Sequence, residues 1–245
     1  MTTSQQTALV TGANKGIGFE TARQLARQGF TVWIGARDQA RGEAAEKELS
    51  DAGDVRFVSL DVTDDDSVAA AARRIEQEIG LDVLVNNAGV AFAEVDGRPS
   101  TVPLDVLQRT FDVNVHGALR VTQAFLPLVR RSPAGRIVNV SSTLGSTGTV
   151  VHPANPFGQV PSFAYPASKA ALNALTGWLA VELRDTAVKV NSVCPGFNAT
   201  DMNDGPGTVG AQHPAEGAKV VVHAATLPAD GPTGSFLDVN GVVPW

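Results

Sequence analysis

An α/β fold built on a doubly wound parallel sheet of about seven strands is what this 245-residue sequence predicts, on three observations. Short β-branched runs alternate with alanine-rich stretches of helical period. The runs VLVNN, RIVNVS and KVNSVC are almost continuously apolar or β-branched, as strands covered on both faces should be. Segments rich in Gly, Asn, Ser and Pro follow the strands directly, where the ligand crevice of such a sheet lies.

Taken in order, strands are expected at 8–11, 31–35, 56–60, 83–86, 136–141, 189–194 and 235–239. Helical patterns fall at 16–28, 39–49, 64–79, 104–129, about 163–184 and 214–226. Right-handed crossovers between parallel neighbours then place helices on both faces, a Rossmann-type arrangement. Neither a repeat nor a linker divides residues 1–245, so one domain is expected. The exception to regularity is 143–161, TLGSTGTVVHPANPFGQVP, whose glycines and prolines read as a long loop bordering the substrate.

Composition narrows the function. With 43% hydrophobic and 18% charged residues the chain has the balance of a folded globular protein. A net charge of −6 gives no attraction to nucleic acid or anionic lipid, and no apolar run reaches the ~20 residues that cross a bilayer. The single cysteine, Cys194, excludes a disulfide framework, and the amino terminus lacks a signal-peptide pattern, so a cytoplasmic protein acting on a small molecule is expected. His116, His152, His213 and His223 show no metal-ligand spacing, and no metal is expected.

Between the first strand and the first helix stands Thr11-Gly12-Ala13-Asn14-Lys15-Gly16-Ile17-Gly18. Gly12 permits a tight turn, Gly16 lets the backbone approach a pyrophosphate, and Gly18 allows helix and sheet to touch, while the helix N–H groups receive negative charge. Tyr165 and Lys169 lie four residues apart, on one face of a helix that has begun by Tyr165. Tyr165 is the only tyrosine, and it follows a strand ending in Ser141-Ser142. A phenol with a pKa near 10 is a poor proton relay at neutrality, but a neighbouring ammonium and the positive ring of a bound nicotinamide favour its phenolate, so Lys169 is expected to lower the pKa of Tyr165.

These motifs, in this order and over nearly the whole chain, resemble the short-chain dehydrogenase/reductase family, in its carbonyl-reductase and menthone-reductase branch. The resemblance implies an NADP(H)-dependent oxidoreductase that interconverts a ketone or aldehyde and an alcohol, with Tyr165 as general acid/base. Tyr165 and Lys169 would also hold the nicotinamide ribose. The family keeps a catalytic serine at the strand end, which is Ser142 here; strand alternation leaves Ser141 as the alternative. Phe111-Asp112-Val113-Asn114 resembles the segment whose asparagine completes the catalytic set, so Asn114 would hold a water beside Lys169. The resemblance further places Asp61 and Val62 at the adenine, Asn87, Ala88 and Gly89 at the ribose region, and Pro195, Gly196 and Thr200 near the nicotinamide. Asn14 and Ile17 enter the cofactor set with the glycine turn.

At the end of the second strand, Gly35-Ala36-Arg37 has no carboxylate where NAD-preferring members place an aspartate. Arg37 offers a forked, charge-assisted contact to a 2′-phosphate and Lys15 a second cation, which favours NADP(H) over NAD(H). Asp38 is the competing ribose ligand if NAD is bound. Ala91, Phe92, Val151, Phe157, Phe163 and Phe197 are candidates for an apolar substrate wall. Cys194 reads as a small strand-end residue with no cation beside it. The alternative function is a non-catalytic NADP-binding redox sensor or interaction protein, and the chain is either a monomer or a homo-oligomer.

Overall fold

The computed structural model describes residues 5–78, 80–155, 157, 160–203, 205 and 207–245. The last residue of the helix expected at 64–79, and Pro156, Gly158 and Gln159 of the expected loop, lie outside the described residues. Strands β1 (Thr7–Thr11), β2 (Thr31–Ala36), β3 (Val55–Ser59), β4 (Val83–Asn86), β5 (Arg136–Val140), β6 (Lys189–Val193) and β7 (Ser235–Asp238) pair in parallel in the order β3-β2-β1-β4-β5-β6-β7. An eighth strand, β8 (Gly241–Val242), turns back antiparallel on β7 through a turn in which Asn240 N–H donates to Asp238. The sequence expectation of about seven strands missed only this two-residue return. The chain reverses direction across the sheet between β1 and β4, and the crevice of a doubly wound sheet opens beyond such a point.

Two apolar layers hold the sheet between helices. One face packs Phe19 and Leu25 of α1 (Gly16–Arg27), α2 (Gln39–Leu49) and Val220 and Val221 of α8 (Pro214–Ala225). The other packs Ile75 of α3 (Asp65–Glu78), Val121 and Phe125 of α5 (Ala118–Arg131) and Leu179 of α7 (Ala164–Glu182). Every residue of β1, β2, β4 and β5 is buried, which is why their sequences show no polar alternation.

Two expected elements differ. The helix expected at 104–129 is α4 (Leu104–Phe111), then a π-helical turn over Asp112–Gly117, then α5. The cause is tertiary. Asn114 spends its side chain on Val90 and Ser168, outside its own helix, and a Cβ on Gly117 would meet Val62 at 2.8 Å. The expected loop 143–161 opens with a 3₁₀ turn, Thr143–Gly145, and a short helix α6 (Thr147–Val150). Ser142 and Ser146 cap these turns, and the Pro244 and Trp245 carbonyls accept from Ser146 and Gly148.

Polar contacts set where α7 lies along the sheet. Asn86 donates to Asn139, Asn139 to Thr176 of α7, and Thr176 shares a hydrogen bond with Ser192 of β6. Nearer the strand tips, Gly145 lies against the backbone of Lys169, where a Cβ would come within 2.6 Å of the Lys169 carbonyl carbon. We expect Gly145→Ala to lower unfolding stability by about 1–3 kcal/mol through overpacking. Urea denaturation reads this, and an unchanged midpoint would mean that the turn can retreat from α7.

Candidate active site

A cleft of about 830 Å³ opens along the carboxyl ends of β1, β2, β4, β5 and β6. Every residue assigned from sequence to the cofactor lines it, and so do Ser141 and Ser142. Asn114 does not line it.

At one end the glycine turn presses on the exit of β4. A Cβ on Gly12 would meet the Ala88 backbone at 2.9 Å, and one on Gly18 would meet Asn87 Nδ2 at 2.4 Å. Asn87 donates to the Thr11 and Gly12 carbonyls, and the Thr11 hydroxyl accepts the N–H groups of Asn87 and Ala88. Thr11, which the sequence reading left out of the site, is thus the post that holds both turns. Helix α1 begins with no side-chain cap and no acidic residue in its first turn, so its N–H donors are left for an anion. The donor set, the absent side chains at Gly12 and Gly18 and the cleft volume together fit a dinucleotide.

Beyond β2, Arg37 is exposed at the cleft wall and makes no ion pair among the described residues. Asp38, the competing ribose ligand, instead caps α2 by accepting from Arg41 N–H, and it faces the Arg41 guanidinium at 3.7 Å. Lys15 departs from expectation: it is paired with Asp201, from the loop after β6, at 2.5 Å. Thr200 of that loop lies against Gly16, so the glycine turn and the loop meet at this end of the cleft. Arg41, missed in sequence, acts electrostatically on Asp201 and adds a cation at this end. Asp61 accepts from the N–H and hydroxyl of Thr63; burial would raise its pKa, but these bonds, with Arg37 and Arg120, hold it below the usual carboxylate value.

At the other end Tyr165 stands in the first turn of α7 and Lys169 one turn later, with Nζ 5.5 Å from the centre of the phenol ring. Lys169 Nζ donates to the carbonyl of Val140, the last residue of β5, at 2.8 Å. The adjacent serines point apart. Ser141 is buried, its hydroxyl toward the Lys169 carbonyl, whereas the Ser142 hydroxyl faces the Tyr165 phenol. Asn114 Oδ1 and Lys169 Nζ both flank Gly89, but the Asn114 side chain is occupied by Val90 and Ser168.

Burial dominates the electrostatics of this pair. Burial pushes the Tyr165 phenol above its ordinary value, the neighbouring Cys194 adds to this, and the Ser142 hydroxyl opposes it. Burial also lowers Lys169, to about 8, against the opposing effect of Cys194. Without a cofactor, desolvation dominates both groups. Cys194 therefore does have a cation nearby, contrary to its reading from sequence, and it accepts from Thr143 N–H at 3.3 Å. Of the expected substrate wall, Ala91 and Phe92 line the cleft, while Val151 is 79% and Phe197 51% exposed. Phe157 and Phe163 lie off it; Val113, Met202 and His213 line it instead.

Residues 6–207 match the family model described as short chain dehydrogenase. The chain is 33% identical to the (+)-neomenthol dehydrogenase of Capsicum annuum, over 96% of each chain. It is 34% identical to carbonyl reductase [NADPH] 1 of Rattus norvegicus, over the full length of both. Among solved structures it resembles the NADPH-bound carbonyl reductase from chicken fatty liver with a TM-score of 0.86 and 28% identity, over 98% of this chain and 99% of that one. On these matches and this fold, the chain belongs to the short-chain dehydrogenase family.

Proposed function

We propose that this protein is an NADP(H)-dependent oxidoreductase that interconverts a ketone or aldehyde and the corresponding alcohol. The observation that carries the proposal is the meeting of Tyr165, Lys169 and Ser142 at one end of a cleft whose other end presents Arg37. The names of the relatives, reductases and dehydrogenases throughout, agree with an enzyme and leave the non-catalytic sensor without support. The reading takes residues 1–245 as one cofactor-binding unit, since the eight strands among the described residues belong to one sheet. No helix among the described residues is long and apolar enough to cross a membrane, and a cytoplasmic setting is part of the same reading.

In this reading the glycine turn and the start of α1 hold the pyrophosphate, and Arg37 with Arg41 meets the 2′-phosphate. Lys15 joins them on exchanging Asp201 for phosphate. Pro195, Gly196 and Thr200 wall the nicotinamide end. When bound, the reduced cofactor supplies the hydride. Tyr165 supplies the proton: its raised pKa keeps the phenol protonated at neutral pH, as a donor to a developing alkoxide must be. Ser142, beside the phenol, orients the carbonyl oxygen toward it. Lys169, anchored on Val140, fixes the helix that carries Tyr165 and reaches the ribose. Asn114 serves by pinning Val90, and with it the cleft wall, to α7 through Ser168.

Three outcomes test this reading. Tyr165→Phe should cut turnover of a ketone and aldehyde panel on the order of 10²–10⁴-fold while leaving NADPH affinity nearly unchanged; full activity would remove Tyr165 from its role. Arg37→Asp should move the NADPH to NADH ratio of kcat/KM toward NADH by roughly 10–100-fold, as expected for one lost charge-assisted contact; an unmoved ratio would place the 2′-phosphate elsewhere. The third outcome concerns Lys169, which in the unfolded chain keeps its proton to about 10.5 and in the folded protein loses it near 8. The unfolded chain binds more protons between these values, so stability of the ligand-free protein rises with pH there. Tyr165, whose folded pKa is raised from 10.0, opposes this only above that value. From about pH 8 to 10 the gain is roughly 2–3 kcal/mol, and Lys169→Met should abolish it in urea unfolding; a slope that survives the substitution would assign the protons to another group.

A further inference from the structure

Asp96 lies in the segment 87–103 between β4 and α4, far in sequence from α7. Its carboxylate nevertheless accepts from the backbone N–H groups of Phe163 (3.2 Å), Ala164 (3.0 Å) and Tyr165 (3.2 Å), and from the hydroxyl of Ser162. A fifth donor, Gly97 N–H, completes its shell at 2.8 Å. These are the unpaired donors at the start of α7. Phe163, the residue before the helix, offers no side-chain cap, and the first turn holds no acidic residue. A serine or asparagine cap would satisfy one or two of them; a carboxylate brings two oxygens and a negative charge to the positive end of the helix. Burial alone would raise the pKa of Asp96, but the bonds from Ser162, Ala164, Phe163 and Tyr165 hold it below the usual value, so the carboxylate is ionised at neutral pH.

The same segment is held a second time. Val90, six residues earlier, is bonded through both its N–H and its carbonyl to Asn114, and Val90, Ala91 and Phe92 line the cleft. One short stretch is therefore clamped at the cleft wall and at the helix that carries the phenol. We propose that Asp96 is a positioning residue for Tyr165: by fixing the first turn of α7 from outside the helix, it sets the depth and direction at which the phenol enters the cleft. Lys169, one turn later, is held independently by Val140, so the cofactor end of the site does not depend on Asp96. The proposal rests on the reading of Tyr165 as the proton donor, and its test has one readout that does not need turnover.

Because Tyr165 is the only tyrosine, fluorotyrosine labelling gives a single fluorine resonance for the phenol ring. In the NADPH-saturated protein, Asp96→Ala should shift or broaden this resonance in the folded species. With the ketone of the panel that is turned over best, the single-turnover rate of NADPH oxidation should fall about 10–100-fold, as a misplacement near 1 Å can cost. The amplitude per folded molecule should stay, and the NADPH Kd should stay within about threefold. Asp96→Asn keeps one acceptor oxygen and loses the charge; it should lie between, and it carries the same readouts if the alanine variant does not fold. A fluorine resonance at the wild-type position, with lost amplitude but an unchanged rate, would reduce Asp96 to a stability role and overturn the proposal. A shifted resonance in a protein that reduces no carbonyl compound would support the positioning of Tyr165 and sink the proton-donor reading instead.

Discussion

The site is organised around a buried ammonium seated on the last carbonyl of a strand. Lys169 is only 4% exposed, and its one protein hydrogen bond among the described residues runs to Val140 at the tip of β5. Burying a charged amine is costly unless it is bonded, so α7 is held where Nζ can reach that carbonyl. The apolar side of α7, through Leu172 and Leu179, supplies adhesion without direction. Direction comes from polar ties: Lys169 to Val140, Thr176 to Asn139 and Ser192, and Asp96 to the first turn. Together they fix both the tilt and the axial position of the helix, and Tyr165, on the same face one turn before Lys169, takes its place from them.

The electrostatic pattern follows from the same burial. A lysine pushed down to about 8 and a phenol pushed up are both disfavoured in their charged forms, a cost that folding accepts at a site meant to exchange protons. Four carboxylates near the cleft among the described residues are occupied: Asp96 by α7, Asp61 by Thr63, Asp201 by Lys15 and Asp38 by the start of α2. None of them is aimed at the phenol, whose ionisation responds to burial, Cys194 and Ser142. Arg37 is thereby left as an exposed cation at the far end, and the cleft presents positive charge where a phosphate would sit and a neutral donor where a carbonyl would react.

Sequence carried the parts whose cause is local. The strands were legible because both faces of β1, β2, β4 and β5 are covered, which writes unbroken apolar runs. The glycine turn was legible because Gly12 and Gly18 touch neighbours that admit no Cβ. What escaped has its cause elsewhere in the chain. The π-helical turn at Asp112–Gly117 depends on Val90, Ser168 and Val62, and α6 depends on carbonyls at 244 and 245. The Lys15–Asp201 pair joins residues 186 apart, and the Asp96 cap joins residues 69 apart at Tyr165. Propensity and spacing carry no record of such contacts. The pKa of Tyr165 escaped for a related reason, since adjacency to Lys169 is visible in sequence and depth of burial is not.

These two kinds of cause divide the cleft itself. The reacting half is made of strand tips and one long helix, each held by several bonds within the sheet. The remaining wall is made of connecting segments, Val90–Phe92 after β4 and, among the described residues after β6, Asn198–Asn203, tied down by Asn114 at Val90 and by the Asn198 amide on the carbonyls of Pro195 and Gly196. Asp96, four residues beyond Phe92, is bonded to the first turn of the helix that carries the phenol, so the segment that shapes the cleft wall is also tied to that helix.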